Sequence, residues 1–205
     1  TLGNAFFSTY LAHLLTQRHE SSLMIGLMTT FFYLGLVLSS FRIERLINRV
    51  SHIRAYAAFA SLMAVVALLH GMTDNPYMWL IFRFIAGINT AGLFVVLESW
   101  LLSQSSLTTR GQILSIYMVT LYAAQAFGQL LLKIDTTDPL YLFSLISITS
   151  SLSIVPLALT KSTSPSYGSP STLKLSMLYK KCAIGLFGCC ISGMIVGVIY
   201  GLFPV

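Results

Sequence analysis

The residues able to do chemistry in this chain are few and stand apart from one another. Arg83 interrupts an otherwise apolar run, and Asn89 and Thr90 follow six and seven residues on. Tyr122, Gln125 and Gln129 are three and four residues apart, so a helix would carry them on one face. His13 lies in the first apolar run, beside Asn4, Thr9 and Tyr10. A permanent cation, amides and phenols at such positions can hold a polar solute or line a wet path, because polar groups facing lipid are costly. Hydrogen bonding between helices would serve each of them singly. Hydrolytic chemistry is not indicated: no two acids share an apolar run, and neither H-E-x-x-H nor G-x-x-x-x-G-K-[ST] occurs. Cys182, Cys189 and Cys190 have no His or acid at ligand spacing and read as small buried hydrophobes. His13, His19 and His70 fall near segment ends and read as interfacial, with His13 kept as a candidate proton carrier. No enzyme activity, metal or cofactor is expected.

Apolar helices must position these residues. Charged residues make up 9% of the 205, against roughly 25% in soluble proteins, and hydrophobic residues make up 56%. Mean hydropathy is +0.81. The apolar blocks are long enough to cross a bilayer as helices, and the ten-residue alternation of a membrane barrel is absent. Seven segments are expected: Leu2–Leu15 (short, as if its beginning were missing), Ser22–Phe41, Ala55–Met72, Tyr77–Leu102, Gln112–Leu132, Leu140–Thr160 and Cys182–Val205. Residues 161–181, rich in Ser, Pro and Lys, cannot bury a core and read as a linker, with room for a short interfacial helix over Thr172–Lys181. The expected fold is an all-α polytopic membrane protein. Residues 1–160 form a six-helix bundle, 161–181 a cytoplasmic linker, and 182–205 a seventh helix opening a second, truncated half.

Charge placement orients the chain. Nine of the twelve Lys and Arg residues lie in the connections after segments two, four and six. The positive-inside rule makes that side cytoplasmic, with the N-terminus there too. The net charge of +6 is then a topology signal, and nucleic acid is not an expected partner.

Three motifs carry a resemblance. Over residues 44–54 the chain is similar to the loop signature G-x-L-x-D-R-x-G-R-R-[RK] of the major facilitator superfamily. Leu46, Arg49 and Arg54 match, while Glu44, Asn48, Ser51, His52 and Ile53 depart from it. Arg83 and Gly87 match the family's fourth-helix pattern R-x-x-Q-G-x-G, from which Ala86 and Asn89 depart. Glu98, twelve residues before Arg110-Gly111, resembles the acid that precedes helix five. The runs RFIAGINTAGLFVVLESWL, RGQILSIYM, AFGQLLL and CCISGMIVGVIYGLFPV look like the YcaD-like branch of that superfamily, helices one to seven of twelve. The antiporter Gly-Pro of helix five is not met, since Gln129 follows Gly128.

The resemblance implies secondary active or facilitative transport of a small solute across the cell inner membrane by alternating access. It further implies a substrate pathway of Arg83, Asn89, Tyr122, Gln125, Gln129 and His13. Asn48, Arg49, Arg54, Glu98 and Arg110 would form a cytoplasmic gate, with Glu98 pairing Arg49 or Arg54. Partners are then the solute, the lipid bilayer and a missing C-terminal half. Uniport, coupling through that half, and use of His13 all stay open. A non-transporting fragment or remnant of such a transporter is the alternative.

Overall fold

A computed structural model describes residues 2–130, 139–160 and 175–202. Its helices are α1 (Leu2–Gln17), α2 (Ser22–Val50), α3 (His52–Met72), α4 (Pro76–Gln104), α5 (Arg110–Leu130), α6 (Pro139–Leu152), α7 (Ile154–Ala158) and α8 (Leu175–Leu202). The chain divides into two compact units, Thr1–Pro165 and Ser166–Val205. Residues 161–174 of the expected linker lie outside the described residues. Five helical stretches, α2, α3, α4, α5 and Pro139–Ala158, are long and apolar enough to cross a membrane. With 16 residues, α1 is shorter, as is the apolar stretch Cys182–Ile195 of α8. The molecule is a multi-pass α-helical membrane protein.

Local chemistry starts the helices. The Ser21 hydroxyl accepts the Met24 N–H at the start of α2, and the Asn75 side chain accepts the Tyr77 N–H at the start of α4. Pro76 follows at the first position of α4, where its missing N–H costs nothing. Between α2 and α3 stands Ser51, with φ 79° and ψ 159°, a conformation otherwise left to glycine.

The basic stretch after the second segment is helix rather than loop. Residues 42–50 extend α2, and His52–Arg54 already belong to α3. Ile43 and Ile47, four apart, are buried and continue the apolar stripe of α2, so the helix keeps its partners through the basic stretch. Arg42, Arg45 and Arg49 take the exposed face. The sixth segment breaks the other way. At Pro156 the missing N–H and the crowding of the Leu152 carbonyl divide it into α6 and the single turn α7.

Inside the first unit, α2 packs on α4 and α5 on α1, α3 on α4 and α6 on α1, and α3 on α6. Smaller contacts join α2 to α3 and α4 to α5. Glycine permits its tightest contact. A Cβ at Gly35 would collide with the Phe84 carbonyl, and one at Gly87 with the Phe32 carbonyl. Each backbone therefore lies directly on the other, as small residues allow in membrane interfaces. Two apolar clusters fill the bundle. Phe6, Phe7, Leu11, Trp79 and Phe143 belong to the first, and Ile47, Tyr56, Phe59 and Val96 to the second.

The second unit contains α8, bent at Cys182 (φ −143°, ψ 48°). Cys182, Cys189 and Cys190 are exposed free thiols, not buried as their apolar setting suggested. Among the described residues of that unit, α8 is the one helix.

Candidate functional site

The polar residues of α4 organise the site. Among the described residues, buried side-chain atoms without a hydrogen-bond partner occur on Arg83, Asn89, Thr90 and His70, and the first three share α4. Arg83 is 4% exposed, and its Nε and Nη1 are both sealed and bare. Its guanidinium carbon lies 4.7 Å from the Phe7 ring centre and 5.4 Å from that of Phe32. Cation–π contacts of this kind contribute about 0.5–2 kcal/mol each, whereas desolvating an unpaired charge costs several. The rings shelter the cation without balancing it.

His70 lies in an aromatic enclosure on the neighbouring helix α3. It is 1% exposed, with Phe7 edge-on at 4.7 Å and Phe82, Trp79 and Phe143 at 5.2–6.0 Å. Its Nδ1 is 2.8 Å from the Val66 carbonyl, so the proton belongs on Nδ1 and Nε2 is a bare acceptor. His70 is in the last turn of α3, as its place near a segment end suggested, but its ring is packed among helices rather than exposed. In α3 the face holding Met63, Val66, Ala67 and His70 packs inward, and the ring enters with it.

A cavity of about 370 Å³ opens beyond this core, and hydroxyl groups line part of it: Tyr56, Thr90, Tyr117, Thr120, Thr149 and Ser153. Among the described residues its wall contains no charged side chain. Tyr56 donates to Ser153 Oγ at 3.1 Å, Ser153 donates to the Ser150 carbonyl at 2.6 Å, and Thr90 Oγ1 has no partner.

The expected pathway residues separate in this arrangement. Arg83 and Asn89 are in the core of the bundle rather than on the cavity wall. Gln129 donates to Thr9 Oγ1 at 3.2 Å, tying α5 to α1, and Gln125 is half-buried. Tyr122 is 62% exposed, and His13 is exposed with its Nε2 3.0 Å from Gln17 Nε2. Neither belongs to the cavity wall. Of the expected gate, Asn48, Arg49, Arg54 and Arg110 are exposed, and Glu98 is half-buried. Among the described residues no ion pair joins Glu98 to Arg49 or Arg54. Its carboxylate accepts the Tyr117 hydroxyl at 3.4 Å instead. The reason is register: Ile43 and Ile47 claim the inner face of α2, which turns Arg49 outward. The ion pair present, Arg18–Asp74 at 2.6 Å, is at the opposite end, with Arg18 5.1 Å from the Trp79 ring centre.

Reading from sequence missed the cavity hydroxyls of Tyr56, Thr149 and Ser153. A hydroxyl in an apolar helix ordinarily bonds its own backbone, and only packing of α3 against α6 and α7 turns these toward one space.

Helices long and apolar enough to cross a membrane, bundled around a buried arginine with bare N–H groups, define the class as a polytopic α-helical membrane protein. Comparison with known proteins gives the family. The model of the Major Facilitator Superfamily matches residues 1–205, and the chain belongs to that family. It is 30% identical over 206 residues to an uncharacterized MFS-type transporter of Yersinia pestis (strain Pestoides F), covering all of this chain and 54% of that protein. It is 28% identical to the uncharacterized MFS-type transporter YcaD of Escherichia fergusonii, with the same coverage. The chain spans about half the length of these curated relatives.

Proposed function

We propose that these residues form the first half and seventh helix of a secondary transporter that moves a small solute across the inner membrane by alternating access. The observation that carries this reading is Arg83. A structural arginine would be paired, whereas this one is buried with Nε and Nη1 bare in a membrane-crossing helix. Arg83 and Asn89 then serve the solute path along α4, with Gln125 and Gln129 on α5 and Tyr122 and His13 toward its rims. Supporting the gate is common placement at one end: Asn48 and Arg49 close α2, Arg54 opens α3, Glu98 is near the end of α4, and Arg110 opens α5. Five of the seven Lys and Arg described in the first unit, Arg42, Arg45, Arg49, Arg54 and Arg110, share that end, which supports a cytoplasmic assignment for it and for the N-terminus. Residues 161–181 act as the linker between halves. No enzymatic step is needed, and the energy comes from solute or ion gradients.

Transport belongs to a molecule with both halves, because one repeat pair must rock against another. The coverage of 54% of the relatives favours the second reading for these residues by themselves, a non-transporting fragment. Proteoliposomes carrying the protein and offered a panel of small solutes separate the two. Uptake above empty liposomes, reduced by Arg83→Ala and altered in pH or gradient dependence by Glu98→Gln, is the expected result. Equal uptake by both variants and the parent removes the assigned roles, and no uptake from any solute leaves the fragment reading.

A further inference from the structure

A guanidinium keeps its proton in proteins, so Arg83 is a fixed positive charge within the bundle. None of the described acids forms an ion pair with it. Asp74 is engaged by Arg18 before α4 begins, and Glu20 lies in the α1–α2 turn. Glu44 is on the exposed end of α2, and Glu98 is fifteen residues farther along α4, about 22 Å at helical rise. What surrounds the guanidinium is aromatic: Phe7 at 4.7 Å and Phe32 at 5.4 Å. The Phe7 ring also meets His70, whose Nε2 shows a bare lone pair.

We propose that Arg83 is the anion-recognition residue of this bundle and that the solute it serves is an organic monoanion bearing a carboxylate. The proposal rests on the transport reading above and names its substrate class. The bare Nε and Nη1 N–H groups can each donate a charge-assisted hydrogen bond to a carboxylate oxygen, and no described side chain accepts from either. The flanking Phe faces suit a planar apolar body and disfavour a strongly hydrated inorganic ion. A second negative charge would meet the His70 lone pair and no second cation described in the first unit, where the other arginines lie in the α1–α2 turn, in the exposed C-terminal part of α2 or near the starts of α3 and α5. One anionic group is therefore the limit.

Thermal unfolding of the full chain in a non-ionic detergent tests this, with benzoate as probe, benzamide as its neutral isostere and chloride as the inorganic arm. Benzoate should stabilise the parent saturably, with an apparent Kd at least tenfold below that of benzamide, and chloride should have no effect. Arg83→Lys should keep a weaker benzoate preference, and Arg83→Gln should bring the two organic probes within twofold. Without ligand, Arg83→Gln should unfold at or above the parent's temperature, because an unpaired buried charge has been removed. Benzoate no better than benzamide overturns the proposal, and so does chloride matching benzoate. A large loss of ligand-free stability in Arg83→Gln would also overturn it, by showing a counter-charge already supplied within the chain. The readout is equilibrium binding, so the two readings fail separately. Silent uptake with an intact benzoate preference removes transport and keeps the site. Uptake of neutral solutes without that preference removes the site and keeps transport.

Discussion

Replacing glycine by alanine should have opposite signs at two positions only nine residues apart in α2 and at their counterpart in α4. At Gly26 an added Cβ meets nothing within 4 Å. The substitution then acts through the helix backbone alone and should stabilise by about 0.5–1 kcal/mol. At Gly87 the same methyl would run into the Phe32 carbonyl, and at Gly35 into the Phe84 carbonyl. Backbone cannot rotate aside as a side chain can, so α2 and α4 must separate. Overpacking of this kind costs about 1–3 kcal/mol, and separation also gives up close Cα–H···O=C interactions worth about 0.5–1 kcal/mol each. After subtracting the helix-propensity gain of about 1 kcal/mol, Gly87→Ala should destabilise by roughly 1–3 kcal/mol. At about 2–4 °C per kcal/mol for a chain of this size, Tm should fall by about 2–12 °C, while Gly26→Ala raises it slightly. Circular dichroism melts in detergent, at one protein concentration, measure both. Gly35→Ala and Gly87→Ala together should cost less than their sum, because the first already parts the helices. Gly87→Ala melting with the parent, or Gly26→Ala losing as much as Gly87→Ala, would refute backbone-on-backbone packing of α2 and α4.

Two further outcomes follow from local geometry. Ser51→Gly should raise stability by roughly 0.5–2 kcal/mol, since relief of about 1–3 kcal/mol of strain at φ 79° exceeds the unfolded-state entropy a glycine adds. A lower melting temperature in that variant would contradict the strained turn. Asp74→Asn should cost no more than about 1 kcal/mol, because Asp74 is 89% exposed, and the loss should shrink as salt is raised from low to physiological strength. A salt-independent loss would point to packing of Arg18 on Trp79 as the larger contribution.

Composition and hydropathy were enough to read the class of the protein and the helix count to within the short ends, and the motifs were enough to read membership in a transporter family. The reason for the first is physical: in lipid the backbone must satisfy itself, so apolar length maps almost directly onto helices. Arg83 was legible for the same reason, as a charge in a run that tolerates none. Other features depended on which faces meet. Arg49 and Glu98 carry motif positions, yet Ile43 and Ile47 set the rotation of α2 and keep them apart. His70 looked terminal in the chain but is among the most buried side chains, because α3 turns that edge toward Phe7 and Phe143. Tyr56 and Ser153, 97 residues apart, share a cavity only through packing of α3 on α6 and α7. Periodicity along one helix states which residues share a face. Which face another helix will cover is decided by close approaches such as Gly35 on Phe84 and Gly87 on Phe32, and those exist only once the bundle has formed.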